Sequence, residues 1–286
     1  MTALREYFFD IDAHGVVYHE GGEINDAGFL DFFYRQMRAN PTGKHPDYPY
    51  FSPCQRDRNF IRATDTPIIF HRIKHGYLEY AATLRQAFSP DRLRFSDDGI
   101  LYHPARVGEY GRLSASVIME LSQYLAQFGP YYALKINNIV NVIEPLEPLP
   151  HLRVLHPREG NMCVGCGAEN PAGLRLSFLY DENERVAQSW LTPDERTTGS
   201  LGIMHGGFVS LLLDEVMGKV LSGIGVKAPT ARLSVEFRRP VTIGEEIALV
   251  GRIVAESGRK FTLKGEIHNV DGIILAEAEA LFIQSI

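Results

Sequence analysis

The stretch His205-Gly206-Gly207-Phe208-Val209-Ser210-Leu211-Leu212-Leu213-Asp214-Glu215-Val216-Met217-Gly218 limits what this chain can fold into more than any other. Two adjacent glycines open a segment whose helical spacing is apolar nearly all round, so the helix it predicts has to be enclosed by other structure. Asp214 then falls inside the apolar run, where an unpaired charge is expensive to keep. On a helix Ser210, Asp214 and Gly218 share one face at i, i+4 and i+8, a small polar stripe that leaves room beside the carboxylate. Glu215 stands four residues before Lys219, the favourable order for a helical ion pair, and is read as structural.

The flanking pattern supplies the enclosure. Strands are predicted over 174–180 and 185–191 before the helix, and over 231–238, 246–256, 260–269 and 274–284 after it, with hairpin turns at Ser257-Gly258 and Asp271-Gly272. Two strands, one helix and four strands suit a single antiparallel sheet wrapped about a central helix. Ahead of them, Cys163-Val164-Gly165-Cys166 offers two zinc ligands where a structural site wants four. His151 and His156 complete the set on paper. The turn residues Gly165, Gly167, Asn170, Pro171 and Gly173 explain the segment as a tight lead-in to a strand, and no metal is expected.

The first half reads differently. Residues 6–12 and 16–19 form a predicted β-hairpin, residues 26–38 a helix stopped at Asn40-Pro41-Thr42-Gly43, and residues 114–128 an amphipathic helix ended by Gly129-Pro130. Between them lies a polar cluster, residues 51–62, in which aromatic and apolar residues frame Cys54, Arg56, Asp57, Arg58 and Arg62, read as a hydrogen-bond network with an anion site as the alternative. Pro145, Pro148, Pro150 and Pro157 punctuate a stretch with no apolar period, which reads as a semi-rigid linker. The boundary is therefore set at about residue 150, giving domains 1–150 and 151–286.

Composition narrows the function. The net charge of −6 leaves no basic half to grip a phosphate backbone, so nucleic acid is not an expected partner. No apolar run reaches the roughly 18 to 20 residues of a membrane span, and the first residues lack a signal peptide's apolar core. Three cysteines do not make a disulfide framework, which points to a reducing, cytoplasmic setting.

Residues 160–286 resemble the hotdog-fold acyl-CoA thioesterases of the phenylacetate-degradation (PaaI-like) type. The resemblance rests on Cys163-x-x-Cys166-Gly167 with Asn170-Pro171-x-Gly173-Leu174, on His205-Gly206-Gly207 with Asp214, and on Thr230-Ala231-Arg232-Leu233-Ser234-Val235 continuing to Arg239-Pro240. Residues 4–145 resemble a family of uncharacterised proteins through Arg5-Glu6-Tyr7-Phe8, Leu30-Asp31-Phe32-Phe33, Phe51-Ser52-Pro53-Cys54 and Leu101-Tyr102-His103-Pro104, which brings no chemistry with it. Together they imply an α+β chain: a C-terminal hotdog domain, its long central helix wrapped by an antiparallel sheet, preceded by a separate small α+β domain.

The resemblance also implies an activity, hydrolysis of an acyl-CoA thioester to free acid and coenzyme A at the interface of a homodimer or homotetramer. Coenzyme A enters as part of the substrate, and no separate cofactor is implied. Gly206 gives its N–H to the oxyanion, a role that suits the unpaired, electropositive start of a helix. Asp214 is general base toward water, or the nucleophile of a mixed anhydride. Thr230 helps hold the water, His205 has a positioning role, and Gly207 and Ser210 line the substrate. Arg238, Arg239, Arg259 and Lys260 lie on or beside strand ends where family members bind the nucleotide. One position departs: the Asn or Gln six residues before the histidine is Gly199, with Thr197 and Thr198 as substitutes. A dehydratase is disfavoured, because the Gly-His-Phe-Pro type of motif is absent and no histidine follows Asp214 on its helix. A non-catalytic acyl-CoA-binding module is the alternative.

Overall fold

In the computed structural model, residues 5–54, 57–136 and 139–285 are described. The chain divides into two compact units, Met1–Leu125 with Ile143–Glu147, and Ala126–Val142 with Pro148–Ile286.

The first unit is mostly sheet, where a mixed α+β domain was expected. Strand Glu6–Ile11 pairs antiparallel with Val17–His19 and parallel with Asp57–Ala63. Helix Ala27–Gln36, capped by the Asp26 carboxylate, lays buried Phe33 and Tyr34 on this sheet, with Phe33 packed 5.1 Å from Phe9. In the polar cluster, Tyr50–Cys54 pairs antiparallel with Asp57–Ala63, with Cys54 opposite Asp57; Gln55 and Arg56 lie outside the described residues. The helix predicted over 114–128 covers only Ala115–Leu121 and one further turn.

The residues beyond it, Leu125–Phe128, form a strand beside Tyr131–Ile136. Gly129 at φ +60 with Pro130 therefore makes a hairpin turn. A Cβ at Gly129 would stand 2.5 Å from the Trp190 ring, which packs edge-on against Phe128 at 5.0 Å. The apolar spacing that suggested helix is used to bury Phe128 against that tryptophan.

The C-terminal domain consists of β1 (Leu152–Leu155), β2 (Phe178–Asp181), β3 (Val186–Leu191), α1 (Gly206–Gly223), β4 (Thr230–Phe237), β5 (Ile247–Ser257), β6 (Lys260–Asn269) and β7 (Ile274–Ile283). Its antiparallel sheet runs β1-β2-β3-β5-β6-β7-β4 and holds α1 against one face. Strand β1 lies within the stretch read as a linker. The prolines flank it without entering it, so its N–H groups remain free to pair with β2. Strand β2 starts later than predicted because Arg175 turns at φ +49.

Close approach of helix and sheet depends on glycine. A Cβ at Gly251 in β5 would stand 2.8 Å from the Val216 carbonyl oxygen, and one at Gly265 in β6 3.3 Å from that of Leu213. Across this contact α1 buries Val209, Leu212, Leu213, Val216, Met217, Val220 and Leu221. Buried aliphatic side chains each contribute on the order of 1.5 to 3 kcal/mol of transfer free energy, so this face accounts for the helix's position.

Candidate active site

The start of α1 is built by the His205 side chain. His205 is the N-cap, and its Nδ1 accepts the Gly207 N–H at 2.9 Å. An accepting Nδ1 leaves the ring proton on Nε2. The imidazole thus holds the helix start, and the Gly207 N–H, expected to face substrate, is occupied by it. The Gly206 N–H is the first of the helix and donates to no group among the described residues. Of the two glycine donors, Gly206 is the one left for a ligand. Ser210 donates its hydroxyl proton to the Gly206 carbonyl at 2.9 Å, so it braces the first turn.

Two turns further on, Asp214 is half-buried and accepts a hydrogen bond from the Thr230 hydroxyl at 2.6 Å. Thr230 reaches it because β4 is irregular. Thr230 pairs with Phe282 and Arg232 with Leu281, which leaves Ala231 as an extra residue. Such a bulge bends the strand and re-aims the side chain beside it. Burial pushes the Asp214 carboxyl above its ordinary value, the Thr230 bond pulls it back, and the neighbouring Glu215 charge adds to the rise. A carboxylate of raised basicity holding a hydroxyl suits water activation.

Beside this pair lies a cavity of about 420 Å³, lined in part by Asp214, Gly218, Thr230, Arg158, Lys219 and Lys227. Sequence reasoning missed Arg158 and Lys227, and read Lys219 only as an ion-pair partner. Arg158 donates to the Ser222 hydroxyl at 3.0 Å, and Lys219, only 3% exposed, sits 5.2 Å from the Phe178 ring centre. Helical spacing placed Lys219 opposite Glu215. The Glu215 carboxylate instead accepts from the Cys163 thiol at 3.2 Å, which corrects the expected i, i+4 ion pair. Cys166, in the same group, has its thiol pushed up to about 11, chiefly by burial. The groups gathered at the thiols come from the helix, where His151 and His156 were the candidates on paper.

The four basic residues assigned to the nucleotide separate into two pairs. The Arg238 and Arg239 N–H groups both donate to the Leu275 carbonyl, whereas the Arg259 carbonyl accepts from Gln284. Nine residues of strand separate those partners, about 30 Å at 3.3 Å per residue. Arg238 is further engaged by Glu236 and Glu277, while Arg259 and Lys260 are exposed.

Gly199 also has a local explanation. A Cβ there would stand 2.7 Å from the His205 Cα, so this conformation has no room for an asparagine or glutamine. Thr197 is 1% exposed and donates its hydroxyl to the Asp194 carbonyl, so it does not replace the missing amide.

The sheet-wrapped helix with its half-buried carboxylate lies within residues 201–276, which match the family model of the thioesterase superfamily. The C-terminal region carries that hotdog domain, and residues 1–133 match a domain of unknown function, DUF4505. Among curated relatives, the acyl-coenzyme A thioesterase THEM4 of Bos taurus is 31% identical over 119 residues, 41% of this chain and 49% of the relative. Its Xenopus laevis counterpart is 26% identical over 117 residues, 41% of this chain and 53% of the relative. The chain thus spans about half the length of the curated relatives it matches. Similar solved structures include a thioesterase superfamily protein, 30% identical with a TM-score of 0.41 over 43% of this chain and 60% of that one. The Escherichia coli PaaI protein is 18% identical with a TM-score of 0.34, over 36% of this chain and 74% of its own. No helix among the described residues is long and apolar enough to cross a membrane.

Proposed function

We propose that the C-terminal domain hydrolyses acyl-CoA thioesters, with Asp214 delivering water or attacking the acyl carbon itself. The observation that carries this reading is the Asp214–Thr230 pair, 2.6 Å apart beside a cavity of about 420 Å³. In the water route, Asp214 takes a proton from water as the oxygen attacks the thioester carbonyl. The Gly206 N–H stabilises the resulting oxyanion, and collapse expels the coenzyme A thiolate.

Helix geometry makes this a reading about two chains. Gly206 and Asp214 are eight residues apart on α1, about 12 Å along its axis. One thioester cannot lie within hydrogen-bonding distance, about 3 Å, of both groups of the same chain. A symmetric dimer brings one chain's Gly206 to the other's Asp214 and completes two equivalent sites. The apolar surface at the helix entry, with Leu201 fully exposed and Phe237 59% exposed, favours such a partner.

The test follows thiol release from a panel of acyl-CoA substrates by wild type and Asp214→Asn. Loss of a base or nucleophile is expected to lower kcat by about 10² to 10⁴. Because burial makes the ionised carboxyl costly, the variant is also expected to melt no lower than wild type. Equal rates would refute the assignment. The alternative, acyl-CoA binding without turnover, is favoured by the missing side chain at Gly199; it predicts saturable binding of acyl-CoA by wild type and no released thiol.

A further inference from the structure

We propose that Cys163, Cys166 and Glu215 form a binding site for a thiolate-preferring divalent cation of the zinc class, independently of the thioesterase reading. The three ligand atoms, two sulfurs and one carboxylate oxygen, lie within 4.8 Å of one another. Around a tetrahedral zinc with bonds near 2.3 Å to sulfur, two sulfurs stand about 3.8 Å apart, so small side-chain rotations close the site.

The local chain is shaped for this convergence. The Gly167 N–H donates to the Cys163 carbonyl at 3.0 Å, closing a turn that brings both cysteines toward α1. A Cβ at Gly167 would stand 2.4 Å from the Asn161 carbonyl oxygen, and one at Gly165 2.5 Å from the Glu215 Cδ. Gly167 is therefore required by the turn, whereas a side chain at Gly165 would displace the Glu215 carboxylate from the thiols. The third ligand comes from the helix, 52 residues after the first. A cation here would tie the lead-in loop to α1 one residue away from Asp214. The three ligands also line the cavity that reaches Asp214 and Thr230, so solvent can occupy the fourth coordination position.

Buried Lys219 is compatible with the ion. Coordination removes one proton from each thiol and adds two positive charges, so the net charge around Lys219 does not change. Lys219 lines the same cavity as both thiols, so its ammonium would face the bound thiolates, the kind of outer contact that supports metal ligands.

The test titrates the reduced, chelator-treated full chain with Co²⁺, then displaces it with Zn²⁺. One Co²⁺ per chain is expected, with thiolate-to-cobalt charge transfer and intense tetrahedral d–d bands; two protons are released per Co²⁺ bound and none when Zn²⁺ displaces it. Glu215→Gln, which removes a direct ligand, is expected to weaken binding by more than the roughly 10-fold lost with an outer contact, and Cys163→Ser to remove much of the charge-transfer intensity. In wild type, which avoids any folding defect of the variants, Zn²⁺ should shield two of the three thiols from a disulfide reagent, leaving Cys54. Absence of thiolate-to-cobalt bands, protection of no thiol, or an unchanged spectrum in the Cys163→Ser plus Cys166→Ser variant would overturn the proposal. A Cys163–Cys166 disulfide whose reduction restores no Co²⁺ uptake would overturn it as well.

Discussion

Replacing Gly206 by proline removes the proposed oxyanion donor and little else. Gly206 is the first residue of α1, a position proline tolerates because its missing N–H has no intrahelical partner. His205 already has φ −63 and ψ 133, the extended conformation that a following proline requires. A Cβ at Gly206 meets only the Phe237 ring, at 3.4 Å, an ordinary contact. The fold should therefore survive, with a melting temperature within a few degrees of wild type. Catalysis should not, since loss of one oxyanion donor costs about 10² to 10³ in kcat, or about 2.7 to 4 kcal/mol. The assay is thiol release with kcat and KM separated, and the defect is expected in kcat. Co-production with Asp214→Asn then tests the two-chain site. Random assembly makes half the dimers mixed, each with one intact site, so about a quarter of the wild-type rate should return from two inactive chains. A mixture no more active than its components, or a Gly206→Pro variant with undiminished kcat, would refute the reasoning.

Two further predictions concern the framework. Gly251→Ala places a methyl group 2.8 Å from helix backbone that cannot rotate away, and thermal denaturation should show a loss of about 1 to 3 kcal/mol. Glu266 accepts from Arg252 at 2.8 Å and pairs with Lys264 at 3.0 Å, contacts that outweigh its burial and bring its carboxyl from 4.5 to about 2. A depressed folded-state value contributes stability above the unfolded value and loses it on acidification, so the loss should fall between pH 4.5 and about 2. The full shift corresponds to about 3 kcal/mol, and solvent around the arginine and lysine ends reduces this to roughly 1 to 2. Denaturant titrations of Glu266→Gln across that window should show a correspondingly flatter pH dependence.

The central helix and the four strands after it were legible because their patterns are local. Apolar residues recur at helical spacing from Val209 to Val220, and the later strands are punctuated by Ser257-Gly258 and Asp271-Gly272. Gly206 and Asp214 both lie on that helix. What was missed depends on partners distant in sequence. Strand β1 is four residues among prolines, and only its pairing with β2 makes it a strand. Leu121, Tyr124, Leu125 and Phe128 have helical spacing, yet Trp190, 62 positions after Phe128, decides where that phenylalanine goes. Glu215 has a good helical neighbour in Lys219 and a different partner in Cys163, which no period on the helix can reveal. The basic residues were grouped by chemistry, and the register of β7 separates them.

The bulge at Ala231 links the Asp214–Thr230 pair to the order in which the chain is made. Among the described residues strand β4 pairs only with β7, so the register that aims Thr230 at Asp214 is set by residues 274–283. While the ribosome is still short of that segment, a nascent chain already contains the helix and its carboxylate but has no template for the bulge. Pairing across so wide a sequence separation is slow, because loop closure precedes any stabilising contact. The buried acid is thus expected to meet its hydroxyl as one of the last events of domain folding. Arrested translation products ending before β7 should carry Asp214 without its partner.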